Sequence, residues 1–192
     1  MLICGIDEAG RGPLAGPVVA AAVVFEDSFI LDGVKDSKVL TESQRDEYFL
    51  TIKGMCLDYR IIEISNVEID EINILQATMK AMYLALKNLN MKPDKYLIDG
   101  NYFKLPGNYQ NEIIHEKIVK GDSKVFAISA ASVLAKVTRD KIMKENHLKY
   151  PGYEFGRHKG YATKLHDERI RQLGLCEIHR RSFCRKYLIE TV

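Results

Sequence analysis

The sequence predicts an α/β fold: a mixed central β-sheet flanked by helices, with a small C-terminal helical segment. Three observations predict it. Apolar runs of strand length recur at Leu2–Ile6, Val18–Phe25 and Tyr96–Ile98, and runs this short bounded by turn residues read as buried strands. A stretch with apolar residues at steps of three and four separates the second run from the third, which is the helical period. The first and third runs both stop at a carboxylate, Asp7 and Asp99, and parallel neighbours would place both acids at one sheet edge, where α/β sheets gather ligands.

The elements follow in order. Leu2–Ile6 is the first strand, and Cys4 within it is a small core residue. Gly10, Gly12, Pro13, Gly16 and Pro17 then force a tight turn, after which Val18–Phe25 returns as the antiparallel neighbour. Asp36-Ser37-Lys38 is a short polar loop. Thr41 and Gln44 have capping-box spacing and open a polar helix. Asp58–Ser65 alternates as a third strand. Ile69, Ile72, Leu75, Met79, Met82 and Leu86 form one stripe of a helix from Glu68 to about Leu89, with Pro93 beyond it. Lys95–Asp99 and Glu112–Val119 are further strands. A helix from Val125 to about His147 follows, with Asp122 or Ser123 as its cap. It is rich in Ala and Ser, which lets it approach a sheet closely. Thr163 caps a last helix ending at Gly174.

Composition bounds the function classes. The 192 residues with 46% hydrophobic content suffice for one core and argue against disorder. A net charge of +2 does not by itself announce a nucleic-acid binder; the placement of the charges matters more. Lys149–Lys164 interleaves cations with four aromatic residues, the pairing that phosphate neutralisation and stacking require, and Ile178–Phe183 adds a second basic patch. The four cysteines show no C-x-x-C pair or finger-spaced histidine, which argues against zinc. No signal peptide or bilayer-length apolar run is present, so a cytoplasmic protein without membrane contact is expected.

Asp7, Glu8, Asp99 and Asp122 are the candidate catalytic and metal-binding residues. Four clustered carboxylates repel unless cations accompany them, and hard oxygen ligands favour Mg2+ or Mn2+ over zinc or copper. Two such ions about 4 Å apart activate water and stabilise a leaving oxygen in phosphodiester hydrolysis. Gly10-Arg11-Gly12 offers backbone donors and a guanidinium to phosphate or sugar. Asp140 reads as a structural ion-pair residue, and His115, His147 and His166 as surface or satisfied histidines.

Gly5-Ile6-Asp7-Glu8-Ala9-Gly10-Arg11-Gly12-Pro13 with Gly16-Pro17 resembles the signature of the ribonuclease HII family, the type 2 ribonucleases H. So do Asp36-Ser37-Lys38, Ile98-Asp99-Gly100, Ser129–Ser132 with Ala135–Asp140, His158–Thr163 and His179–Phe183, in the family's order. Val39 stands where a second lysine is usual, and Ala162 where glycine is frequent. The resemblance implies an RNase H-like fold, with residues 1–148 as catalytic domain and 149–192 as a basic helical segment packed on it and contacting substrate. It implies cleavage of RNA in RNA–DNA hybrids and incision 5′ of single ribonucleotides in duplex DNA, leaving a 3′-hydroxyl and a 5′-phosphate. It implies Gly10, Arg11 and Gly12 as readers of the 2′-hydroxyl, Tyr161 as a ring stacking on the adjoining deoxyribose, and Lys38, His158 and Lys159 as phosphate contacts. A monomer acting on RNA–DNA hybrids and ribonucleotide-containing DNA is expected. Two other readings stand beside it: another metal nuclease or phosphotransferase, and a binding module without catalysis. The four acids discriminate, since a binding module has no use for carboxylates facing phosphate.

Overall fold

The computed structural model describes residues 1–31, 33–34, 40–104 and 113–189. Five strands form one mixed sheet: β1 (Leu2–Ala9), β2 (Val18–Glu26), β3 (Asp58–Ile64), β4 (Lys95–Asp99) and β5 (His115–Ile118), in the order β3-β2-β1-β4-β5. β1 pairs antiparallel with β2 and parallel with β4, with Ile6 opposite Ile98. That register sets Asp7 and Asp99 one step further on, at the same end of two neighbouring strands.

Strand periodicity sorts the side chains to two faces. Cys4, Ile6, Tyr96 and Ile98 pack against helix α2 (Asn66–Lys87) on one face. Ile3 and Leu97 pack on the other against α1 (Glu42–Met55) and α3 (Phe126–Lys149). α3 lies close on β1 because both surfaces are small. A Cβ on Gly5 would sit 2.0 Å from the Ala127 carbonyl carbon, so only glycine fits there.

Local signals were met at several places. Thr41 and Gln44 make the reciprocal capping box of α1. Thr163 caps α5 (Lys164–Leu173), which ends at Gly174. Two expectations need correction. The helix expected from Glu68 starts at Asn66, capped by Ser65, and is broken at Asn73 (φ 67°, ψ 163°). Oδ1 of Asn73 accepts from the amides of Leu75 and Gln76 at 3.0 and 3.1 Å, so it caps the second half; the apolar stripe continues across the break and conceals it. Asp122 and Ser123 do not cap α3. They lie in a separate 3-10 turn (Gly121–Ser123), entered through Lys120 in the left-handed region, and α3 starts behind Val125 without a side-chain cap.

Beyond α3 the chain folds back over the β1–β2 turn. A 3-10 turn (Pro151–Tyr153) and α4 (Phe155–His158) place Tyr153 and Phe155 in a small core with Ala15 and Met143. Two of the aromatic residues expected to face a ligand are therefore buried packing. α6 (Arg185–Ile189) ends the described chain.

Candidate active site

Three elements converge on one group of acids. β1 supplies Asp7, β4 supplies Asp99 and the 3-10 turn supplies Asp122. One carboxylate oxygen from each lies within 4.8 Å of the other two. Asp7 and Asp122 are buried, at 5% and 3% exposure, and Asp99 is half-buried. Asp99 Oδ1 accepts from the Gly121 amide at 2.7 Å, which ties the turn to the strand end. The Ser129 hydroxyl donates to the Asp122 carbonyl at 2.5 Å and anchors the turn to α3.

Glu8 follows Asp7 on the strand, and so its side chain leaves from the opposite face. It lies outside the three-acid group and lines a cavity of 120 Å³ with Arg11, Met82, Asp99 and Asn101. Its Oε1 accepts from Arg11 Nη1 at 3.3 Å, and its amide donates to Asp7 Oδ1 at 2.7 Å. A larger groove of 570 Å³ between α2 and Tyr102–Lys104 has no acid among its described lining residues.

Burial holds the Asp7 carboxyl well above the usual carboxylate range, and the adjacent Glu8 charge adds to this against a bond from Ser132. Glu8 is also raised by burial, while Arg11 opposes the shift. Protonating or neutralising these groups relieves the site, and a divalent cation is the neutraliser to which three converging hard oxygens are suited.

The Gly10–Pro17 turn lies beside these acids. Gly10 and Gly16 have φ of 96° and 84°, a region open to glycine. Gly12 differs, because a Cβ there would meet nothing within 4 Å. Neither a positive φ nor internal packing requires this glycine, and its flank is open space. Arg11 and Gly12 are exposed. Tyr161 is 41% exposed, its ring 5.7 Å from Arg139 Cζ and 6.0 Å from Lys136 Nζ.

The remaining expected contacts are less available. His158 is buried, with Nε2 bonded to the Tyr153 carbonyl at 2.8 Å and Nδ1 accepting from the Gly160 amide at 3.2 Å. Both ring nitrogens are used internally, so the imidazole builds the loop instead of facing outward. Lys159 donates to the Gly156 carbonyl. Lys38, with Asp36 and Ser37, lies outside the described residues. Asp140 pairs with Lys136 at 2.7 Å, as an ion-pair role requires. His166 is satisfied: it stacks on His158 at 4.3 Å and meets His179 Nε2 at 3.1 Å.

Sequence reasoning assigned no site role to Ser132, Arg139 or Arg180, although each lies in a stretch that resembles the family. Ser132 sits on a small-residue helix face, where the local pattern speaks only of packing. Arg139 and Arg180 are both wholly buried, and nothing local in a sequence separates a buried arginine from an exposed one.

Comparison with known proteins gives the family and the fold. The family model described as Ribonuclease HII matches residues 4–186. Ribonuclease HII of Francisella tularensis subsp. novicida (strain U112) is 54% identical over 183 residues, covering 95% of this chain and 96% of that one. The crystal structure of ribonuclease H2 from Pyrococcus horikoshii OT3 superposes with a TM-score of 0.82 at 32% identity, covering 99% and 98% of the two chains. Bst-RNase HIII, solved in complex with Mn2+, shares the fold at a TM-score of 0.71 and 19% identity, with 99% of this chain and 70% of that one covered. The chain belongs to the ribonuclease HII family and is a type 2 ribonuclease H, a hydrolase.

Proposed function

We propose that this chain cleaves the RNA strand of RNA–DNA hybrids and incises duplex DNA on the 5′ side of a single embedded ribonucleotide, leaving a 3′-hydroxyl and a 5′-phosphate. The observation that carries this reading is the convergence of Asp7, Asp99 and Asp122 oxygens within 4.8 Å, beside a turn whose Gly12 flank is open.

Asp7, Asp99 and Asp122, with Glu8 from the adjoining cavity, would hold Mg2+ or Mn2+. Ions bound there supply Lewis-acid polarisation of the phosphate and a more acidic attacking water. The Mn2+ in the Bst-RNase HIII structure supports such a role for a site on this fold. Arg11 places an exposed guanidinium near the acids, where it neutralises a substrate phosphate. Backbone donors of the Gly10-Arg11-Gly12 turn contact the 2′-hydroxyl, the one group that separates RNA from DNA at a given position. Tyr161 lays its exposed ring against the neighbouring deoxyribose. Lys159 and Lys38 are proposed phosphate contacts, while His158 acts by shaping the loop that carries Tyr161. The protein acts as a monomer in the cytoplasm.

The test uses three duplexes: all-DNA, DNA with one ribonucleotide, and a long RNA–DNA hybrid, each with Mg2+, with Mn2+ and with chelator. Cleavage of the second and third only, and only with a divalent ion, is expected. Cleavage of all-DNA duplex, or cleavage in chelator, overturns the reading.

A further inference from the structure

Two fully buried guanidiniums, Arg139 and Arg180, lie behind the Gly10–Pro17 turn, and neither has a carboxylate partner among its described bonds. Arg139 donates to the carbonyls of Ala15, Pro17 and Lys159, each at 3.0 Å. Arg180 donates to Gly10 at 2.6 Å, Gly16 at 2.9 Å, and Arg11 and Pro17 at 3.0 Å. Burial, and then the neighbouring Arg139, pushes Arg180 down to about 9, so it stays charged at neutral pH.

Burying two like charges for packing alone is unfavourable when apolar residues fill the same volume. The carbonyls they bind explain the arrangement. Those groups belong to an irregular turn with few strand or helix partners, and each needs a donor. There is also a directional consequence. The described peptide bonds include none in cis, and in a trans peptide the C=O and the following N–H point in opposite directions. Arg180 draws the Gly10 and Arg11 carbonyls inward, so the amides of Arg11 and Gly12 are aimed outward, on the flank where Gly12 leaves open space. Arg139 ties this turn to Lys159, and the Leu14 amide donates to the Gly160 carbonyl at 2.8 Å, which joins the segment bearing Tyr161 to the same unit.

We propose that Arg180 and Arg139 are positioning residues for ribonucleotide recognition, orienting the Arg11 and Gly12 amides toward a 2′-hydroxyl and fixing Tyr161 beside them. This rests on the functional reading above. The readout is discrimination, not activity alone: the ratio of dissociation constants for all-DNA duplex and for the same duplex with one ribonucleotide, measured in an Asp7→Asn parent with Mg2+. The parent should prefer the ribonucleotide. Arg180→Lys keeps the charge but loses the fork, and should reduce the ratio about tenfold, one net hydrogen bond's worth per misplaced amide. Arg139→Lys should act in the same direction. Gly160→Ala keeps both guanidiniums but crowds a carbonyl that Arg139 binds, because its Cβ would fall 2.6 Å from the Ala15 carbonyl oxygen, and it should reduce the ratio too. Folding of each variant is checked by its urea midpoint, and any folded variant decides the matter. A folded variant that binds both duplexes more weakly by the same factor overturns the proposal, as does failure of all three to fold. A parent with no preference overturns the functional reading itself, which separates the two failures.

Discussion

Replacing Asp7 by Asn should abolish hydrolysis and yet stabilise the ion-free protein. The perturbation removes one charge and leaves the shape intact, since the amide oxygen still accepts from the Glu8 N–H that now bonds Oδ1 at 2.7 Å. Oxygens of Asp99 and Asp122 lie within 4.8 Å, and two unit charges at that separation repel by about 3.5 kcal/mol at an effective dielectric near 20. Burial shifts the Asp7 carboxyl upward, and any proton it takes up relieves part of this repulsion, so the gain expected in chelator is smaller, about 2 kcal/mol. For a chain of this length that is a rise of roughly 4–8 °C in Tm. Adding Mn2+ should reverse the order. At one hundred times its Kd an ion stabilises by about 2.7 kcal/mol, and the variant, having lost a ligand, should gain far less. The assay is calorimetry in chelator and in a Mn2+ series. An Asn variant less stable than the parent in chelator, or an equal ion-induced shift in both proteins, refutes the reasoning.

Three further outcomes are expected. His166 and His179 are pushed down to about 4, chiefly by burial, against about 6.5 when unfolded. The unfolded chain therefore binds more protons between pH 4 and 6.5, and this contribution to stability falls as pH drops through that window. Buried Asp7 and Glu8 act in the opposite direction, so the measurement is a difference: His166→Gln should destabilise by about 2 kcal/mol less at pH 5 than at pH 7.5, and equal penalties at both pH values refute it. Tyr161→Ala should lower kcat/KM on a lone ribonucleotide more than on a long hybrid, and equal losses count against a junction contact. Gly5→Ala should destabilise by about 3 kcal/mol, by overpacking, because its Cβ falls 2.0 Å from the Ala127 carbonyl carbon; an unchanged urea midpoint shows that α3 yields freely.

The legible and hidden parts of this molecule divide along a physical line. Strands, caps and the adjacency of Asp7 and Asp99 follow from local periodicity, because an apolar run ending in an acid carries its geometry in the chain. The split between Asp7 and Glu8 was equally readable from the two-residue strand period, yet treating four acids as one group concealed it. Asn73 was hidden because its side chain supplies the cap that a helix break requires while the apolar stripe runs on. Tyr153 and Phe155 looked like stacking residues because composition cannot tell which ring faces inward. Arg139 and Arg180 were the least readable. Their partners are backbone carbonyls more than a hundred residues away in sequence, except for Lys159, and carbonyls leave no mark on a side-chain pattern. Of the acids proposed for the chemistry, Asp7 and Asp99 are written locally at strand ends, and the arginines proposed to aim it are written in long-range contacts.

The most direct test of the account is to map the cut in a DNA duplex carrying one ribonucleotide, with Mg2+ present, and to identify both new ends. The account predicts scission of the phosphodiester on the 5′ side of the ribonucleotide, with a 3′-hydroxyl on one fragment and a 5′-phosphate on the ribonucleotide, as attack by water requires. Scission on its 3′ side with a 2′,3′-cyclic phosphate would mean that the substrate's own 2′-hydroxyl is the nucleophile, and would contradict the role assigned to Asp7, Asp99 and Asp122.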